Sequence, residues 1–319
     1  VVLLRSSLGF NGAKFFGLIR SLVGIFLFGI QTYFLSKILV YLIRIAIFSI
    51  DNSLLQQEIF IFYYFGMNII DWSAIAITII LQTLFFTVGM QHNKKIINFS
   101  AMTVYTGMLI FFFIVLLSDV KITTQAFSNI FNLNNFLDVN NLAPLLTVAG
   151  TIFAYFSILI ISFGDFSRYV KNEQELKKGN LSLILNLIIF SFFTLFIVTG
   201  ADAFLKLDSE NISRILTNPS DIIGKLNNLL ISSLVLVFIL IASISTNLIA
   251  NFIPSQYSII NFIPSFLSFK SSSFVIGLFG FLIGVFWIIF LSQIGILSFV
   301  DTFGAFFGPL FGIMISDFY

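Results

Sequence analysis

The sequence has no cysteine and a single histidine, His92, which excludes a disulfide framework, thiolate chemistry, a Cys/His metal cluster and a histidine-based catalytic relay. Only 9% of its residues are charged, against roughly 25% in a soluble domain. With 16 Lys and Arg against 14 Asp and Glu, the net charge of +2 supplies no basic field for gripping nucleic acid. An enzyme would need acids, His or Lys converging within the apolar stretches, and a channel filter would need a repeated polar ring; neither pattern is present.

What the chain has in abundance is apolar surface. Hydrophobic residues make up 58% of its 319 positions, 44 of them Phe, and the mean hydropathy is +1.06. A bilayer core requires about 20 apolar residues in helical form, because the helix satisfies its own backbone where no water reaches. Eight stretches meet this, at 15 to 42, 73 to 90, 98 to 118, 143 to 164, 180 to 200, 227 to 253, 273 to 291 and 294 to 316, here spans A to H. The fold class is therefore an all-α polytopic membrane protein. Residues 54 to 70 are apolar but carry Gln56, Gln57 and Glu58, which suits an interfacial helix rather than a ninth span. With residues 1 to 14 on the inner side, ten of the 16 basic residues, Arg5 and Lys14 through Lys270, fall inside, in keeping with the positive-inside tendency of a cell membrane protein. The chain begins at Val1 rather than Met, and we expect a truncated beginning.

Polar side chains in lipid cost free energy unless they are paired or line a wet cavity, so they point to function. Span F holds the densest set. Ala242, Ser245 and Thr246 are spaced i, i+3 and i+4, stacking a carbonyl and two hydroxyls on one helix face. Two readings stand: half a coordination shell for a hard cation such as Na+, or hydroxyls bonding back to carbonyls of their own helix. At ~100° per residue Asn251 lies roughly 140° round from Thr246, which assigns it to a different compartment. Its amide suits a lactam or amidine edge of a heterocycle, or an interhelical clamp. Span A carries a second deep amide, Gln31, two residues after Gly29, which permits close backbone approach. Span D carries Tyr155 and Phe156, able to stack on a flat ligand, and ends in Asp165 and Arg168, spaced as a surface ion pair. The echo Asn251 to Ser255 and Asn261 to Ser265 reads as two helix-ending signals, at Pro254 and Pro264.

Taken in order, Phe28-Gly-Ile-Gln-Thr32, Gly164-Asp-Phe-Ser-Arg-Tyr169, Ser245-Thr-Asn247 running to Ala250-Asn251, and Phe307-Gly-Pro-Leu-Phe-Gly-Ile-Met-Ile-Ser-Asp-Phe-Tyr319 resemble the nucleobase:cation symporter-1 family, whose members include cytosine, uracil, allantoin and hydantoin permeases. The resemblance covers essentially the whole chain. It implies a transporter core of two inverted five-helix repeats (LeuT-like), with substrate and ion held at broken helices midway through the bilayer. Spans A to H would be the family's third to tenth helices, making residues 1 to 319 a single transporter domain truncated at both ends. The resemblance further implies that Gln31 and Asn251 hydrogen-bond the base, that Gly29 lines the pocket, and that backbone around Tyr155 adds contacts. The Ala242 carbonyl and the Ser245 and Thr246 hydroxyls would contribute a partial Na+ site. Where many members place stacking Trp residues, this chain has Leu27 and Phe156; Phe keeps a stacking face and Leu offers only an apolar edge. The expectation is Na+-coupled symport of a nucleobase-like solute by alternating access, needing no other cofactor and no protein partner. The alternatives are a proton-coupled or amino-acid transporter of the same architecture, or an inactive fragment.

Overall fold

The structure is a computed structural model that describes residues 4–131, 139–208, 228–289, 293 and 295–318. The helices are α1 (Leu4–Ile50), α2 (Glu58–Ile61), α3 (Ile69–Thr87), α4 (Met90–Ser118), α5 (Val120–Ile130), α6 (Leu142–Ile160), α7 (Phe163–Ser167), α8 (Glu173–Asp208), α9 (Leu229–Asn247), α10 (Ile253–Phe262), α11 (Phe269–Ile289) and α12 (Ile296–Phe318). Among the described residues there are eight helical stretches long and apolar enough to cross a bilayer, one for each of spans A to H. The chain is an all-α, multi-pass membrane protein. The connector that holds Asn218 and Pro219, and the boundary between spans G and H at 290–292 and 294, lie outside the described residues.

The ends of the helices follow local chemistry. α3 starts four residues before span B does, because Asn68 and Asp71 form a reciprocal capping box, with Asp71 N–H on Asn68 Oδ1 at 2.9 Å and Asn68 N–H on Asp71 Oδ2 at 3.1 Å. The segment 54 to 70 is not one interfacial helix. It is a 3-10 turn (Asn52–Gln56), the single turn α2, and a tight reversal in which Tyr64 and Met67 pair while Phe65 (φ 51) and Gly66 (φ 74) take left-handed backbone. That reversal cannot be accommodated in a continuous helix.

Two compact units divide the chain: Val1–Asn98, Leu146–Tyr169 and Ser243–Tyr319 form one, Phe99–Leu145 and Val170–Ala242 the other. In the first, α1 packs against α3, α10, α11 and α12. Successive residues of α1 serve different clusters. Leu27 joins Ala154, Ile158, Val300 and Phe307 of α6 and α12, while Phe28 joins Phe86, Phe252 and Ile276. Apolar burial gives little drive for helices to associate in lipid, so close packing of small residues matters more. A Cβ on Gly29 would sit 2.7 Å from the Gly280 carbonyl oxygen and from Ile283 Cβ, so α1 and α11 approach here to backbone contact. In the second unit α5 packs on α8, and Phe112, Phe127, Phe192, Phe193 and Phe196 interlock by edge and tilted contacts. A narrow apolar cavity of about 180 Å³ lies there, lined by Gly107, Phe111, Phe238 and Ala242 among others.

Candidate functional site

Span F is not a single α-helix. Between α9 and α10 a single π-turn, Leu248–Phe252, widens the helix, with the Ile253 N–H bonding the Leu248 carbonyl five residues back. Pro254 lies just past it and has no N–H to give the Ala250 carbonyl four residues earlier. A buried cation takes that acceptor: Arg20, fully buried on α1, donates from Nη2 to the Ala250 oxygen at 2.8 Å. Ser255 Oγ donates to the Asn251 carbonyl at 2.6 Å, and Ser21 Oγ to the Ser255 carbonyl at 3.1 Å. The guanidinium and the Ser255 hydroxyl occupy the space a side chain at Gly24 would fill; a Cβ there would lie 2.7 Å from Arg20 Nη1 and 2.0 Å from Ser255 Oγ. Pro254 therefore does not end the helix as the sequence suggests; only the second echo coincides with an end, α10 stopping at Phe262.

The π-turn has a geometric consequence. More residues per turn means less rotation per residue, so Asn251 is carried back toward the side of Thr246. Both line one cavity of about 430 Å³, and the separation into two compartments expected from ideal helix geometry is not found. The cavity lies within the first unit. α1 contributes Leu27, Ile30, Gln31 and Phe34; α6 contributes Thr151, Ile152, Tyr155 and Phe156; α12 contributes Ile296, Leu297 and Val300. The Tyr155 and Phe156 rings meet edge to face at 5.9 Å and 83°, so a flat ligand can lie against only one of them at a time.

Of the nine residues singled out in the sequence, Gln31, Asn251, Leu27, Tyr155, Phe156 and Thr246 line this cavity. Gly29 does not, because its bare face is taken up by the contact with α11. Ser245 is half-buried and outside the lining, and the Ala242 side chain lines the apolar cavity of the second unit. Asp165 is no surface ion-pair partner. It is buried at 2% exposure, its Oδ2 has no hydrogen-bond partner, and burial pushes its carboxyl above the usual range. Arg168 lies over the Tyr257 ring instead, at 4.0 Å, beside a 2.5 Å Tyr169–Tyr257 hydroxyl contact.

The two cavity amides touch: Asn251 Nδ2 donates to Gln31 Oε1 at 2.8 Å. Behind them stands a polar cluster that sequence reasoning passed over. Asn251 Nδ2 also donates to Asn247 Oδ1 at 2.9 Å, and Asn247 Nδ2 reaches Gln82 Oε1 at 3.0 Å and Thr32 Oγ1 at 3.1 Å. Asn247, Gln82 and Thr32 are all buried, at 0%, 2% and 0% exposure. Gln82, an amide deep in span B, and Arg20, a cation within span A, carried the signal that an intramembrane polar group marks function.

The chain matches, over residues 1–319, the family described as permease for cytosine/purines, uracil, thiamine, allantoin. It belongs to that family, the nucleobase:cation symporters. The purine-uracil permease NCS1 of Arabidopsis thaliana is 23% identical over 319 residues, which is 100% of this chain and 50% of the plant protein. The allantoin permease of Bacillus subtilis (strain 168) is 27% identical over 169 residues, 53% of this chain and 33% of the bacterial one. The chain spans half or less of the length of these relatives. No solved structure matches it.

Proposed function

We propose that the chain carries the substrate cavity of a secondary active transporter that moves a nucleobase or a related heterocycle, of the cytosine, uracil, allantoin or hydantoin class, across a cell membrane by alternating access. The observation that carries this reading is the single cavity in which the amides Gln31 and Asn251 meet the aromatic pair Tyr155 and Phe156, with Leu27 as an apolar wall. Apolar walls with a few convergent polar groups are what small flat solutes require, and about 430 Å³ falls within the usual range of such sites, roughly 300 to 1,000 Å³. The break at Leu248–Phe252, within a helix that lines the cavity, agrees with transporters that bind at discontinuous helices.

The coupling ion in this reading is Na+, with the Ala242 carbonyl and the Ser245 and Thr246 hydroxyls as the oxygen donors that span F supplies. Thr246 also lines the cavity, which gives ion and substrate a shared wall. Each ligand then strengthens the other's binding by one common factor. Proton coupling is the second reading, favoured by the buried, unpartnered oxygen of Asp165. Uptake of labelled cytosine, uracil and allantoin by the complete gene product, in sodium and in sodium-free buffer at fixed pH and with an imposed pH gradient, separates the two. Sodium-dependent uptake of one of the three supports the proposal. Uptake of none overturns the substrate class, and uptake driven by the proton gradient alone overturns the sodium assignment.

A further inference from the structure

The oxygen and nitrogen of a primary amide are nearly equal in size, so the orientation of Asn251 has to be read from its neighbours. Backbone carbonyls only accept, and they fix the polarity at both ends of the hidden cluster. The Phe28 carbonyl lies 3.3 Å from one terminal atom of Asn247, which is therefore its nitrogen. The Thr78 carbonyl lies 3.4 Å from one terminal atom of Gln82, which is therefore also a nitrogen and turns Gln82 Oε1 toward Asn247 Nδ2, in agreement with the first assignment. Thr32 gives its own proton to the Phe28 carbonyl at 2.7 Å, leaving its oxygen as an acceptor for both amides at 3.1 Å.

Polarity then propagates outward. Asn247 presents Oδ1 to Asn251, so the atom of Asn251 at 2.9 Å is Nδ2, and its second proton goes to Gln31 Oε1 at 2.8 Å. Both Asn251 protons are committed, and Oδ1 is what this amide has left to offer. Gln31 is oriented in the same step: its Nε2, with one long bond of 3.4 Å to the Ser243 carbonyl, keeps a proton to give. Gln31 and Asn251 line the cavity, whereas Asn247 and Gln82 do not.

We infer that Asn247 and Gln82, with Thr32, are positioning residues that hold Asn251 as an acceptor and Gln31 as a donor, so that the cavity selects ligands whose edge sets an N–H beside a carbonyl or other acceptor and rejects edges without an N–H. The inference rests on the reading of this cavity as the substrate site. It identifies lactam, imide and ureide edges as the recognised chemistry.

The test is equilibrium binding to the purified complete gene product of uracil and hydantoin, each against its 1,3-dimethyl analogue, which keeps the carbonyls and loses both N–H groups. Wild type should prefer at least one parent by about tenfold or more. Asn247→Ala, which touches no ligand, should weaken the parent by about tenfold while moving the analogue less than about threefold, so that the preference collapses. Gln82→Leu, one bond further from the cavity, should do the same more weakly, and stands in if Asn247→Ala fails to fold. No preference in wild type overturns the inference, as does a preference untouched by either variant, which would mean that the methyl groups are excluded by shape alone. If neither parent binds wild type, the reading of the cavity as a nucleobase site falls and takes the inference with it.

Discussion

The Arg20 guanidinium donates to the Ala250 carbonyl at 2.8 Å, the acceptor to which Pro254, four residues on, has no N–H to offer. The bond ties α1 to the π-turn on which Asn251 stands. Arg20 holds its charge in a fully buried place with Nε and Nη1 unpartnered, so removing the charge relieves a desolvation cost at the same time as it frees the turn. Arg20→Met should leave the thermal unfolding midpoint unchanged or raised, and should weaken ligand binding by about three- to tenfold, the loss of one charge-assisted hydrogen bond acting through a neighbour. Midpoints and dissociation constants on the same preparations check both halves; a lowered midpoint with unchanged binding contradicts this role.

Gly29→Ala sets two effects against each other. Alanine favours the helix by about 1 kcal/mol over glycine. Its Cβ would lie 2.7 Å from the Gly280 carbonyl oxygen, a backbone atom that cannot swing away, and overpacking of this kind costs about 1 to 3 kcal/mol. The clash should win, giving a lower unfolding midpoint. A rise would show that α1 and α11 are further apart than described.

Lys37 and Asp71 form an ion pair at 2.8 Å, with the Asp71 side chain only 6% exposed and its other oxygen engaged in the α3 capping box. Lys37→Met strands a buried carboxylate oxygen and should cost about 1 to 3 kcal/mol, and Lys37→Arg should restore part of it. Unfolding of the two variants beside wild type gives the comparison; equal stability of all three would refute the pairing.

Asp165 lies beyond the end of α6, outside the spans, and burial raises its carboxyl above the model-peptide value of 3.8, with Arg168 and Arg20 pulling the other way. Over the window between 3.8 and the raised folded value, the native protein binds more protons than the unfolded chain. Stability contributed here is therefore highest below 3.8, falls as pH rises through that window, and levels off above the folded value. Asp165→Asn should remove that slope. Urea or thermal unfolding across the acid range reads it, and an Asp165→Asn profile parallel to wild type would contradict the assignment.

The spans were legible because a bilayer imposes length and apolarity on any helix that crosses it, and each of spans A to H overlaps one long apolar helical stretch. Gln31, Asn251, Tyr155 and Phe156 were legible as sparse polar and aromatic groups, strengthened by the family pattern, and they line one cavity. The angle between Thr246 and Asn251 was not, because it depends on a π-turn whose surroundings combine one missing donor, at Pro254, with two side-chain donors, Arg20 and Ser255, that only the folded chain brings onto its carbonyls. The segment 54 to 70 was misread for a related reason: its apolar content resembles a helix, while the reversal at Phe65 and Gly66 is a backbone event that composition does not announce.

The central claim, that a flat heterocycle binds against the joined amides of Gln31 and Asn251, is tested most directly by measuring binding of labelled uracil and allantoin to wild-type and Asn251→Ala forms of the complete gene product, with unfolding midpoints recorded alongside. The account predicts saturable binding of at least one compound by wild type and its loss, by about tenfold or more, in an Asn251→Ala form that is still folded at the temperature of the measurement. Saturable binding that survives Asn251→Ala undiminished would place the ligand elsewhere in the protein and contradict the account.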